Sequence, residues 1–202
     1  MTAEYIQANS SNYTPGRTRA IDRCVLHYTG GNGDTAKNNG KYFQGENRKA
    51  SAHYFVDEDS IVLSVKETDT AWHAGNWDMN CRSIGIEMCS KKDAEGNYYI
   101  PAKTVANAVK LTKQLMEKYN IPTAGVIRHY DVNAKKCPEP FVRNPALWED
   151  FRKQLTVPEK KVYTGDRKIV KERSGVDDNT MAWMETHRFP NDFFRKLANA
   201  MK

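Results

Sequence analysis

Residues 102–119 constrain the fold more than any other stretch. Val105, Ala108, Val109, Thr112, Leu115, Met116 and Tyr119 recur at the three- and four-residue spacing of one helical face. Pro101 suits the first turn of such a helix, and Asn120 its end. One apolar stripe on a helix this long must be buried against a second layer. The flanking sequence says what that layer is. In RSIGIEMC (Arg82–Cys89), Ile84, Ile86 and Met88 alternate with Gly85 and Glu87. That is the two-residue period of a strand, and it puts Glu87 on the face opposite the apolar chains. AGVIRHY (Ala124–Tyr130) reads as another strand.

Upstream, DRCVLHYT (Asp22–Thr29) is β-branched and aromatic and stops at Gly30-Gly31, as a strand does. SAHYFVDEDSIVLSV (residues 51–65) reads as a hairpin turning near Glu58–Ser60. Asp34 reads as the N-cap of a short helix through about Phe43, and Pro145–Leu155 as a closing helix. Residues 1–20, polar and containing Pro15-Gly16, read as surface chain before the first strand. Strands interleaved with helices predict an α/β core.

Beyond it, TVPEKKVYTGDRK (residues 156–168) has the Pro, Lys and Gly content of a linker. Asp177–Thr186 and Asn191–Met201 then read as two helices, the second with Phe193, Phe194, Leu197, Ala198 and Met201 on one face. The expected domains are therefore 1–157 and a small helical segment, 158–202. Its apolar face is expected to meet the core, a partner, or a second copy in a homodimer.

Net charge is +6, which favours anionic partners. The Lys and Arg residues are scattered and accompany no nucleic-acid motif, so no nucleic-acid partner is expected. No apolar run approaches the ~18 residues of a membrane span, and no membrane partner is expected. The N-terminus lacks a basic segment followed by an apolar one, which predicts a protein made in the cytosol without a signal peptide.

Four cysteines, Cys24, Cys81, Cys89 and Cys137, are too few and too dispersed for a disulfide framework. Cys24 and Cys89 lie in apolar stretches and read as small core residues. Cys137 has basic company and needs another explanation. His27 lies near the end of the first strand and His129 at the end of a later one, eight residues before Cys137. Two imidazoles and a thiolate suit Zn²⁺, and three protein ligands leave a fourth position for water. Five histidines and four cysteines allow many such triples, and strand-end histidines are also often simply hydrogen-bonded.

The segments VLHYTG (25–30), SAHYFVDED (51–59), AWHAGN (71–76), SIGIEM (83–88) and RHYDVNAKKCPEP (128–140) occur together in one order. In this the chain resembles the zinc-dependent N-acetylmuramoyl-L-alanine amidases of the type-2 class, which includes phage lysins and peptidoglycan recognition proteins. The resemblance spans about residues 22–155. It implies a mixed central β-sheet flanked by helices, with one zinc ion in a surface cleft. It also implies hydrolysis of the amide between N-acetylmuramic acid and L-alanine in bacterial peptidoglycan, after release to the cell wall.

Carried over residue by residue, the resemblance puts zinc on His27, His129 and Cys137. Lys135 matches a cation near the metal, where an ammonium stabilises an oxyanion. Glu87 matches a glutamate that serves as general base in one branch of the family. Another branch uses a tyrosine where this chain has Ala52. His73 matches a histidine that touches substrate or supports a ligand, and Trp72 is a candidate to stack on sugar or to pack. His53 reads as a core or cleft histidine. His187 is given no role. The alternative is a peptidoglycan-binding module without catalysis, against which Cys137 stands, since loss of the metal is expected to follow loss of the thiolate.

Overall fold

The computed structural model of the protein describes residues 2–156, 165–186 and 190–201. The chain divides into two compact units, Met1–Val157 and Pro158–Lys202.

The first unit opens with β1 (Glu4–Tyr5), β2 (Tyr13–Thr14), β3 (Arg23–Tyr28), α1 (Ala36–Gly45), β4 (Tyr54–Val56) and β5 (Ile61–Leu63). Then come β6 (Thr70–Ala71), α2 (Trp77–Arg82), β7 (Ser83–Met88), β8 (Lys91–Lys92) and β9 (Tyr98–Tyr99). It closes with α3 (Ala102–Tyr119), β10 (Val126–Arg128), α4 (His129–Asn133), α5 (Glu139–Arg143) and α6 (Pro145–Thr156). Six strands form the main sheet in the order β1-β5-β4-β7-β3-β10. Only the β4–β5 hairpin pairs antiparallel, so the sheet is mixed.

Strand alternation divides the sheet into two chemically different faces. Cys24, Leu26, Ile84, Ile86 and Met88 point to one side, against Ala108, Leu111 and Leu115 of α3 and Phe151 and Leu155 of α6. That is the layer the 102–119 stripe required. Asn120 ends α3 in the left-handed conformation, φ 53°, with its backbone N–H donating to the Met116 carbonyl. On the other side α1 covers one end of the sheet, through Ala36 and Phe43 against Phe55 and Val62. Gly40 of α1 lets it approach: a Cβ there would lie 2.9 Å from a Val62 methyl carbon. The β3–β7 part of this face carries His27 and Glu87, which are paired in register.

Two expectations about the first unit need correction. Residues 2–20 are not a surface lead-in. β1 extends the sheet by pairing parallel with β5, and Ile6, Ala8, Asn12 and Tyr13 are buried. The Asn12 amide donates to the Phe43 and Glu46 carbonyls, tying this segment to α1. The N-cap of α1 is Thr35, whose hydroxyl accepts from the Asn38 N–H. Asp34 instead accepts from Thr29 Oγ1 and the Asn39 amide, closing the loop after β3.

The second unit contains α7 (Gly165–Ser174), α8 (Asp178–Glu185) and α9 (Pro190–Ala200). Val170, Met181, Phe194 and Ala198 form its buried core, with Phe193, Leu197 and Met201 packed partly against it. The first residues of α7, 165–168, fall within the expected linker, and no helix is expected from the sequence over the rest of it; only Ile169 and Val170 give it an apolar side. Most of the expected linker, residues 157–164, and His187 lie outside the described residues.

Candidate metal centre

His27 occupies the second-last position of β3 and is 1% exposed. His129 follows β10 directly, as the first residue of α4 rather than the last of a strand. Cys137 returns to it through a tight turn. Ala134 takes φ 60°, the Lys135 N–H donates to Asn133 Oδ1, and the Tyr130 N–H donates to the Cys137 carbonyl. His27, Glu87 and His129 thus cluster at the C-terminal ends of adjacent parallel strands, where open α/β sheets bind ligands.

One ligand atom each from His27, His129 and Cys137 lies within 4.8 Å of the others, and all three residues are buried. Among the described residues this is the one such group of His, Cys, Asp or Glu. Cys137 Sγ lies 3.7 Å from His27 Nδ1. His129 Nε2 faces the Asn133 amide, which donates to the Ala74 carbonyl, whereas its Nδ1 is buried with no hydrogen-bond partner. An orphaned imidazole nitrogen in a dry site costs free energy unless something electrophilic meets it.

The electrostatics agree. Burial lowers the pKa of His27 well below its ordinary value, helped by the charges of His73, His129 and Lys135, so the ring is neutral and able to ligate. Burial also lowers His129, with Lys135 acting in the same sense. Burial pushes the Cys137 thiol up to about 12, Glu87 adding to the rise, while the Tyr28 backbone N–H and Lys135 oppose it. A divalent cation beside it reverses that balance and stabilises the thiolate. The donor set therefore fits a borderline-soft ion such as zinc.

Glu87 stands next to this group, its Oε1 4.0 Å from His27 Nδ1. Its Oε2 is buried without a hydrogen-bond partner. Burial raises its pKa to about 8, against the pull of Lys135 and with a further rise from Asp34. Lys135 itself is exposed, and its charge acts on His27, His129, Glu87 and Cys137 alike.

The remaining candidates are placed differently. His73 is 9% exposed, and both its ring nitrogens face protein groups, Nδ1 to His27 Nε2 and Nε2 to Ser83 Oγ. Burial, and after it the charges of His129 and Arg17, push its pKa down to about 3. Trp72 is half-buried, and its indole N–H donates to Thr14 Oγ1 at 3.0 Å. Trp77, in contrast, is 55% exposed. His53 is fully buried beside β7 and accepts the Gly85 N–H at Nδ1. Ala52 is buried against Phe55 and Val62. Ser83, Asn80 and Asn133 were not singled out from the sequence, although Asn133 stands one helical turn after His129. Asn80 Oδ1 accepts the backbone N–H groups of His73 and Ala74 and so holds the loop that carries His73.

A mixed sheet layered with helices, with a His-His-Cys group at its strand ends, defines a class of α/β proteins with a candidate metal centre. The family described as N-acetylmuramoyl-L-alanine amidase (Amidase_2) matches residues 17–140, which include all seven candidate residues. The chain belongs to that family.

The chain is 34% identical over 162 residues to N-acetylmuramoyl-L-alanine amidase CwlL of Bacillus licheniformis, covering 72% of this chain and 44% of the relative. It is 30% identical over 173 residues to the amidase BlyA of Bacillus subtilis (strain 168), covering 76% of this chain and 46% of the relative. It thus spans less than half the length of these curated relatives. Among solved structures, PlyL superimposes with a TM-score of 0.67 at 26% identity, covering 78% of this chain and 98% of that one. The catalytic domain of XlyA gives 0.66 at 28% identity, covering 77% and 99%.

Proposed function

We propose that this protein hydrolyses the amide between N-acetylmuramic acid and L-alanine in bacterial peptidoglycan, using one zinc ion held by His27, His129 and Cys137. The observation that carries this reading is the meeting of those three side chains, one from β3 and two from the segment after β10, beside the Glu87 carboxylate, whose Oε1 lies 4.0 Å from His27 Nδ1. Zinc at this position supplies a Lewis acid that polarises the scissile carbonyl and acidifies water.

The chain's own groups do the rest. Glu87 accepts a proton from the attacking water as its oxygen bonds to the carbonyl carbon. It returns that proton to the alanine nitrogen as the C–N bond breaks. Lys135 places an ammonium where the carbonyl oxygen becomes negative. Trp72 and His73 support the loop beside this centre, and Trp77 offers an exposed ring to the glycan.

The wall is the expected partner, and the basic charge suits an anionic polymer. We assign wall retention to the unit 158–202, on its separate core and on Trp183, which is 71% exposed and available to a sugar face. The packing of Phe194 and Ala198 within that unit leaves a homodimer through these helices as the weaker reading. No helix among the described residues is long and apolar enough to cross a membrane.

Glu87→Gln tests the division of labour. The variant is expected to bind zinc as the parent does and to lose most turnover. Unchanged turnover would assign the proton to another group and would favour a different mechanism.

A further inference from the structure

Ser83 opens β7 and is fully buried. Its hydroxyl lies 2.5 Å from the Met79 carbonyl and 3.2 Å from His73 Nε2. A carbonyl only accepts, so the single Ser83 proton is committed to Met79. Ser83 Oγ must then accept from His73, which puts the His73 proton on Nε2. A neutral imidazole has one N–H, so His73 Nδ1 is a bare lone pair. That lone pair faces His27 Nε2 at 3.0 Å. His27 must therefore carry its proton on Nε2 and leave Nδ1 bare. Nδ1 is the atom that faces Cys137 Sγ and Glu87. Every donor in this series has an acceptor, and the series runs in one direction only.

We propose that His73 and Ser83 are positioning residues that preset His27 as its Nε2–H tautomer, so that Nδ1 is ready for the metal. The inference rests on the reading of His27 as a metal ligand. Partners of this kind commonly set the orientation and tautomer of ligating histidines.

The rest of strand β7 is built around the same arrangement. Ser83, Gly85 and Glu87 share one face by the two-residue period. A Cβ on Gly85 would lie 2.5 Å from His73 Cγ and 2.8 Å from its Nδ1, so a side chain there would displace the ring. SIGIE therefore supplies a hydroxyl, a gap and a carboxylate in succession: the hydroxyl orients His73, the gap admits it, and the carboxylate faces the metal centre. Helix α2 completes the set, since its Met79 carbonyl terminates the series and its Asn80 holds the His73 backbone.

The test has two arms on the whole 202-residue chain. Long-range ¹⁵N–¹H correlation spectra of the zinc-free and zinc-loaded wild type distinguish the two imidazole tautomers. His73 is expected as Nε2–H in both states, and His27 as Nε2–H already without zinc. A His73 proton on Nδ1 overturns the proposal without any variant. In the second arm, a competing chelator measures zinc affinity. Ser83→Ala and Gly85→Ala are each expected to weaken it by roughly 10- to 100-fold. If wild type binds zinc and both variants bind it equally well, the positioning role fails and the ligand assignment stands. If wild type does not bind zinc through His27, His129 and Cys137, the ligand assignment fails and the proposal falls with it.

Discussion

Glu87 and Lys135 share one centre but answer to different measurements. Lys135 contributes charge and no ligand atom, so Lys135→Met is expected to lower kcat by roughly 10²-fold or more at unchanged zinc content. Loss of zinc from that variant would instead make Lys135 part of the site's assembly. His53 gives a test of stability. Burial, then the charges of His73 and Arg17, hold its pKa well below the ordinary value in the fold. The unfolded chain takes up that proton below about pH 6.5 while the folded one does not. Its contribution is therefore complete above that pH and declines as pH falls toward the folded value. Unfolding midpoints should drop on acidification, and His53→Gln should flatten the slope; a parallel slope would remove His53 as a cause. The candidate ligands His27, His129 and Cys137 were legible in the sequence because their residue types are uncommon and their segments distinctive. Ser83 and Asn80 were not legible, because a serine or asparagine acquires its role only from the neighbours the fold brings to it.

At the level of elements, periodicity carried most of the architecture. The 102–119 stripe and the alternation of residues 83–88 specified a helix and a strand, and the two meet in one core. Phe151 of α6 is fully buried in that core. Phe151→Ala is expected to cost about 3–5 kcal/mol, readable in denaturant unfolding; a loss below about 1 kcal/mol would mean the α6 layer is not anchored there. β1 escaped notice because two residues have no period. It exists only because β5 offers an open edge, against which Glu4 and Tyr5 pair with Val62 and Leu63. α7 escaped because GDRKIVKERS is mostly charged, and its helix depends on Val170 meeting Met181 and Phe194.

At the scale of the molecule, the two units have separate cores and are proposed to have separate tasks. A fragment ending at Val157 is expected to cleave soluble muropeptides as fast as the full chain but to sediment less with intact walls. Equal sedimentation would move wall retention into the first unit. The central claim is that His27, His129 and Cys137 would hold one metal ion beside Glu87 and that water is thereby turned on a single amide. Its most direct test is to digest purified cell walls with the zinc-loaded protein and count new chemical ends. The account predicts new L-alanine amino termini, abolished by chelation and restored by zinc, with no gain in reducing sugars. New reducing sugar ends without new L-alanine amino termini, or cleavage indifferent to chelation, would contradict it.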